Sequence, residues 1–223
     1  MNTVSVSPNF NDRPDDLKID MLVIHYTGMR SCQAALQRLC DPQAKVSCHY
    51  LIDEDGTVCR LVDEDKRAWH AGVAWWRGAF DINARSIGIE LVNPGHEFGY
   101  RDFPDGQMIA LQGLARGIVR RHAIPARNVV GHGDVSPTRK QDPGERFDWR
   151  RLAAAGVGLW VDDGVPVSVP NEDMSAMLSA FGYDVSDLNA AIIAFQRHFR
   201  PALVNGQGDP QTAGVLKALL RAT

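Results

Sequence analysis

Nowhere in its 223 residues does the chain carry an apolar run approaching the ~18 residues that cross a membrane, so no membrane insertion is expected. The opening stretch, MNTVSVSPNFNDRPDDLKID, has neither a basic start nor a continuous apolar segment. No secretory leader is visible there, and the expected location is the cytoplasm, or the periplasm if a leader was removed. Excess charge is missing too. The 24 Lys and Arg stand against 27 Asp and Glu, a net charge of −3, which provides no global attraction to nucleic acid or an anionic membrane. Any anionic ligand must be met by local basic groups. The cysteines Cys32, Cys40, Cys48 and Cys59 form no C-x-x-C pair, which argues against a structural zinc knuckle and for free buried thiols. Cys48 has only its neighbour His49 to suggest a nucleophile. His-Glu-x-x-His is absent, which weakens a zinc peptidase of that type. Internal repeats and low-complexity tracts are absent as well.

What is present is ordinary for a globular protein, with 44% apolar and 23% charged residues. The pattern predicts an α/β fold with a mixed central sheet flanked by helices, followed by a small three-helix C-terminal domain. Met21 to Ile24 reads as a buried strand ending on His25. Ser31 can cap a helix whose Cys32, Leu36, Leu39 and Cys40 share one face. Val46 to Ile52 and Thr57 to Val62 flank an Asp-Gly turn as a hairpin. Ser86 to Val92 is a second buried strand carrying a carboxylate, Glu90. Asp105 to about His122 is a helix, and Asn128 to Gly131 a short strand that delivers His132. Residues 1–155 form the expected first domain. Residues 156–170, rich in Gly, Pro and Val without periodicity, read as a linker. Residues 171–223 carry three helical stripes, with Gly182 as a stop and Asp209-Pro210 as a start.

His25, His132 and Asp142 are candidate metal ligands. Two imidazoles and a carboxylate form a three-ligand set for catalytic zinc, with the fourth position left to water or substrate. Both histidines close predicted strands, where a rigid sheet aims them. Asp142 follows His132 across Gly133, Pro137, Pro143 and Gly144, in a loop able to fold back. Singly, a strand-end histidine is a hydrogen-bonded framework residue and an aspartate before Pro-Gly a turn former; spacing does not decide between the readings.

Five segments occur in order: Val23-Ile24-His25-Tyr26-Thr27, Val46-Ser47-Cys48-His49-Tyr50-Leu51-Ile52, Ala68-Trp69-His70-Ala71-Gly72, Ser86-Ile87-Gly88-Ile89-Glu90, and Gly131-His132-Gly133-Asp134 through Lys140-Gln141-Asp142-Pro143-Gly144. Together they resemble the successive signatures of the type 2 N-acetylmuramoyl-L-alanine amidases, a family that shares its fold with peptidoglycan recognition proteins and T7-type lysozyme. The resemblance covers roughly residues 20 to 152. It implies Zn2+ on His25, His132 and Asp142, with Glu90 and Lys140 catalytic. It also implies hydrolysis of the bond between (anhydro-)N-acetylmuramic acid and L-alanine, in cell-wall turnover or recycling. Zinc would polarise the carbonyl and acidify water. Glu90 would carry the water's proton to the leaving nitrogen, and Lys140 would stabilise the oxyanion. Without the motif set, Glu90 would read as a carboxylate pointing to solvent and Lys140 as a solvated cation.

Lys45, His49, Trp69, His70 and Asn83 are the expected substrate contacts. Only 23 residues separate His25 from His49, fewer than in the recycling amidases of the cytoplasm. With the helical tail, this is more similar to the broad-specificity branch that acts on muropeptides. The tail itself resembles the three-helix peptidoglycan-binding module at Leu178 to Tyr183, Ala194-Phe195-Gln196 and Asn205 to Thr212; the alternative is a packing domain that braces the first. Muropeptides are the expected partners of a monomeric chain. The competing reading is a recognition module that binds peptidoglycan without cleaving it.

Overall fold

Ser86-Ile87-Gly88-Ile89-Glu90-Leu91 alternates small or polar residues with aliphatic ones, and a strand sends such a sequence to two different faces. In the computed structural model, which describes residues 3–4 (backbone only), 6–162 and 164–223, this alternation organises the centre of the molecule. The strands are β1 (Thr3–Val4), β2 (Phe10–Asp12), β3 (Met21–Tyr26), β4 (Tyr50–Ile52), β5 (Val58–Arg60), β6 (Lys66–Ala68), β7 (Ser86–Leu91) and β8 (Val129–Gly131). Six of them form one mixed sheet in the order β1-β5-β4-β7-β3-β8, and β2 pairs with β6 separately. The helices are α1 (Cys32–Cys40), α2 (Ile82–Arg85), α3 (Gly95–Phe98), α4 (Asp105–His122), α5 (His132–Val135), α6 (Trp149–Ala154), α7 (Asn171–Phe181), α8 (Leu188–Phe199) and α9 (Pro210–Arg221). Among the described residues, no helix is long and apolar enough to cross a membrane. The mixed sheet flanked by helices matches the expected fold class.

One face of the sheet presents Leu22, Ile24, Ile87, Ile89 and Leu91 to Met108, Leu111, Ala115 and Ile118 of α4. These four helix positions recur at the spacing that puts them on one side, which is why α4 forms where it does. The opposite face presents Met21, Val23 and Val130 to the C-terminal helices. Beside them, Leu51 packs under Ala35 and Leu39 of α1. Register places His25 beside Glu90, and Glu90 beside Leu51, so both polar side chains emerge on this second face.

Local signals behave largely as read. Ser31 Oγ accepts the Ala34 N–H, and Asp209 caps α9 through the Thr212 N–H. Gly182 ends α7 with φ 141°, a conformation that favours glycine. The strand expected from Val46 is shorter, beginning at Tyr50. Residues before it are tied elsewhere, Ser47 N–H to Trp69 C=O and His49 N–H to Gly88 C=O. No disulfide joins Cys32, Cys40, Cys48 and Cys59. All four lie in or against the cluster under α1. Burial pushes the Cys48 thiol far up, and it donates to the Tyr50 carbonyl, which leaves it no nucleophilic role. The segment expected as a linker is irregular yet closely applied to the helices. Val161, Val167 and Val169 pack on their core. At Gly164 the backbone crosses α9 so tightly that an added Cβ would sit 2.1 Å from the Gly214 carbonyl carbon.

Candidate metal centre

β3 ends at the site with His25, β8 runs directly into His132 at the start of α5, and Asp142 returns on the loop that follows. That return is fixed by the Gly133 N–H, which donates to the Asp142 carbonyl at 2.8 Å. The three side chains meet. His25 Nδ1 lies 3.0 Å from His132 Nδ1 and 3.1 Å from Asp142 Oδ2, and His132 Nδ1 lies 3.2 Å from the same oxygen. All three residues are buried, at 1%, 4% and 7% exposure.

Hydrogen bonds decide which nitrogens carry protons. Ser86 Oγ donates its one proton to the Ile82 carbonyl at 2.6 Å, so toward His70 Nε2, at 3.2 Å, it accepts. His70 Nε2 is therefore protonated and its Nδ1 is bare. Nδ1 of His70 in turn accepts from His25 Nε2, 3.1 Å away, which leaves His25 Nδ1 as a lone pair aimed at the centre. His132 Nε2 donates to the Ala71 carbonyl at 3.0 Å, so the neutral form of this ring turns a bare Nδ1 to the centre. Burial, with the neighbouring His132 and Lys140 adding to it, lowers His25 to about 4 against the opposing Asp142, so at neutral pH it is uncharged. Burial would raise the Asp142 carboxyl, but a protonated His132 or His25, by charge and by hydrogen bond, outweighs it and lowers the group. In their neutral forms the two imidazoles turn lone pairs toward the same carboxylate oxygen, a conflict that a cation removes. Tetrahedral bonds of ~2.0–2.1 Å imply ligand separations of roughly 3.3 Å, close to those observed. The donor set fits a divalent metal, and it is the group of this kind found among the described residues.

Gly88 makes the histidine chain possible. A Cβ there would stand 2.5 Å from His70 Cγ, so the ring lies directly on the strand. Gly88→Ala is expected to push His70 off its line to His25 and to destabilise the protein by about 1–3 kcal/mol, as overpacking does. Chemical denaturation checks this, and an unchanged midpoint would contradict it.

Above the metal ligands opens a cleft of about 360 Å³, bounded by α1, by Ser47 and Trp69, and by the segment from Arg139 to Asp142. Glu90 and Lys140 both line it. Glu90 Oε2 is buried without a hydrogen-bond partner. Burial, reinforced by Asp142 and opposed by Lys140, raises its carboxyl to about 8. Lys140 is exposed.

The expected substrate contacts divide. Trp69 lines the cleft, with its indole Nε1 tied back to Asn11 Oδ1 at 2.7 Å. His70 also borders it, though its nitrogens are taken up by the chain to His25. The other three lie outside the cleft lining. His49 is fully buried: Nδ1 accepts the Gly88 N–H at 2.9 Å and Nε2 faces the Lys66 carbonyl at 3.1 Å, which makes it framework. Asn83 Oδ1 accepts the N–H groups of His70 and Ala71 at 3.0 and 2.7 Å, shaping the loop that carries His70. Lys45 is exposed in a left-handed turn with φ 51° and lies outside the cleft lining. Arg38 is the cation on that side, presented by α1 with no ion-pair partner among the described residues. A lone arginine on an exposed helix turn carries no signal in sequence. Arg13, in the loop after β2, likewise sits in no motif. Its guanidinium donates to the carbonyls of Glu64, Asn83, Ala84 and Ser86, locking the segments beneath the site.

Comparison with known proteins agrees with this arrangement. The family model described as N-acetylmuramoyl-L-alanine amidase matches residues 15–145. The amidase AmiD of Escherichia coli is 38% identical over 91% of this chain and 83% of its own length. The 1,6-anhydro-N-acetylmuramyl-L-alanine amidase AmpD of Haemophilus influenzae is 37% identical over 67% of this chain and 89% of its own. Among solved structures, the complex of E. coli AmiD with anhydro-N-acetylmuramic acid-L-Ala-D-gamma-Glu-L-Lys superposes with a TM-score of 0.83 at 34% identity, covering 96% of this chain and 98% of that one. AmpDh3 of Pseudomonas aeruginosa with anhydromuramic pentapeptide gives a TM-score of 0.83 at 31% identity, over 96% of both chains.

Proposed function

This chain belongs to the N-acetylmuramoyl-L-alanine amidase family, and from that membership we propose that zinc is the metal its His25, His132 and Asp142 hold. The reaction is hydrolysis of the amide between the lactyl group of (anhydro-)N-acetylmuramic acid and L-alanine of a stem peptide. The observation that carries this reading is the convergence of three ligand atoms within 3.0–3.2 Å of one another, beside a carboxyl whose Oε2 has no partner.

Zinc bound there supplies Lewis acidity, polarising the scissile carbonyl and making water nucleophilic near neutral pH. Glu90, lining the cleft from β7, accepts the proton of the attacking water on its carboxylate and returns it to the alanine nitrogen as the bond breaks. Lys140 places its ammonium at the cleft wall, where it offsets the negative charge that develops on the carbonyl oxygen. Trp69 offers a flat apolar surface to the substrate. Arg38 meets a carboxylate of the stem peptide, the local basic group that a chain of net charge −3 requires. Similarity to AmiD and AmpDh3 across both the sheet domain and the helical tail favours muropeptides as substrates, anhydro-muramoyl forms included.

The test is chemical. Purified protein is expected to hold one zinc per chain and to release, from a muropeptide, a free stem peptide beginning with L-alanine and a peptide-free muramic acid, both identified by mass. Chelation should stop the reaction and added zinc restore it. Binding without either product would leave a recognition module, and cuts between amino acids would mean a peptidase; either result overturns the proposal.

A further inference from the structure

Residues Gly131 to Asp142 carry two of the three metal ligands, and the helix that touches both ends of this segment belongs to the C-terminal unit. Asp134, 3% exposed, sits at the first end. Its Oδ2 accepts the Gly131 N–H at 2.7 Å, one residue before His132. The same oxygen accepts from His198 Nδ1 of α8 at 2.7 Å, while Oδ1 accepts the Tyr183 hydroxyl at 2.6 Å. An ionised carboxylate only accepts, so His198 Nδ1 carries a proton. The His198 ring is held flat between Trp149 and Phe199, with centroids 3.7 and 3.8 Å away. At the second end, Arg197 Nη2 donates to Gln141 Oε1 at 3.2 Å, one residue before Asp142. One contact thus reaches Gly131, the residue before His132, through Asp134, and the other ends on Gln141, the residue before Asp142.

The rest of the unit is fixed in the same way. Its Met174, Phe181 and Phe195 share one hydrophobic cluster with Val23, Trp76 and Val130 of the sheet domain. The connecting segment is pinned against α9 at the Gly164–Gly214 crossing. A module built to swing on a tether would show neither feature.

We propose that the three-helix unit is part of the metal centre's scaffold: His198 and Tyr183, acting through Asp134, and Arg197, acting through Gln141, are positioning residues that preset His132 and Asp142 for the ion. The proposal rests on the reading of His25, His132 and Asp142 as zinc ligands. Supporting hydrogen bonds around metal ligands set affinity because they remove the cost of orienting the ligand when the ion arrives.

Zinc affinity of the full-length chain, measured by competition with a chromophoric chelator, tests it. His198→Leu removes the donor and is expected to weaken zinc binding about 10-fold, the lower end of the range for lost supporting contacts. His198→Asn keeps an N–H near the same place and should stay within about twofold of the parent. Tyr183→Phe retains the ring and should weaken binding in the same direction by a smaller factor. Leu219→Ala, which loosens the helical core away from this network, is expected to lower thermal stability without changing zinc affinity. Zinc affinity that is unchanged in His198→Leu, or that falls equally in Leu219→Ala, or that is not restored in His198→Asn, overturns the proposal. Should His198→Leu fail to fold, an unchanged affinity in Tyr183→Phe overturns it equally. Failure of the parent chain to bind zinc at all is a separate outcome that removes the ligand assignment instead.

Discussion

Glu90→Gln is expected to keep one zinc per chain while turnover falls about 10²–10⁴-fold, the range a positioned acid–base group contributes. The substitution preserves shape, and Glu90 is outside the ligand triangle, so the metal remains. What goes is the carboxylate on β7, in register with His25, which lines the cleft and whose buried Oε2 has no partner. A glutamine amide there cannot take up a proton and hand it on. Metal content and product mass read the two effects separately. A variant within about threefold of the parent rate would remove Glu90 from the reaction.

The same residue predicts a dependence on pH in the metal-free protein. Burial raises its carboxyl from 4.5 to about 8, with Asp142 adding to the effect and Lys140 opposing it. The folded state thus prefers the neutral acid. That contribution to stability is complete below the unfolded value and is lost as pH rises through about 8. Metal-free parent protein should therefore lose stability over that window, and metal-free Glu90→Gln, having no proton to release, should lose less. A nearby dication favours the carboxylate instead, which makes the group a base at neutral pH when the site is loaded.

The second large effect concerns the ion itself. His132→Ala is expected to weaken zinc by more than the 10–100-fold that loss of a supporting residue costs, and to bring hydrolysis to background at ordinary zinc concentrations. The residue supplies a bare Nδ1 at 3.0 and 3.2 Å from the other two ligand atoms, and its Nε2 proton is bound to the Ala71 carbonyl, so no neighbour can replace it. Asp142→Asn is the companion variant. It keeps a ligand oxygen but removes the negative charge that neutralises the dication, and should likewise fall below the parent in affinity. Full zinc occupancy and full rate in His132→Ala would place the metal elsewhere.

Much of this was readable from residue order. The strands around His25 and His132, the cap at Ser31, the helix from Asp105 and the three C-terminal stripes follow from periodicity and local chemistry, which act over a few residues and survive without knowledge of the fold. His25, His132 and Asp142, which the fold brings together, and Glu90 and Lys140, which line the cleft above them, each sit in a motif. The substrate contacts were not legible in the same way. His49 lies in a motif as clear as that of His25, but its ring turns into the framework between Gly88 and Lys66. Asn83 resembles a cleft residue in sequence and instead holds two backbone N–H groups beneath one.

The sequence by itself determined the strand and helix pattern and which residues have the chemistry to bind a metal and move a proton, because those depend on residue type and near neighbours. Tertiary structure alone decided which imidazole nitrogens are bare, which polar side chains face the cleft, and that the tail leans on the metal loop. These depend on burial and on partners far apart in the chain: His198 and Asp134 are 64 positions apart, and no local pattern records that they will share a proton.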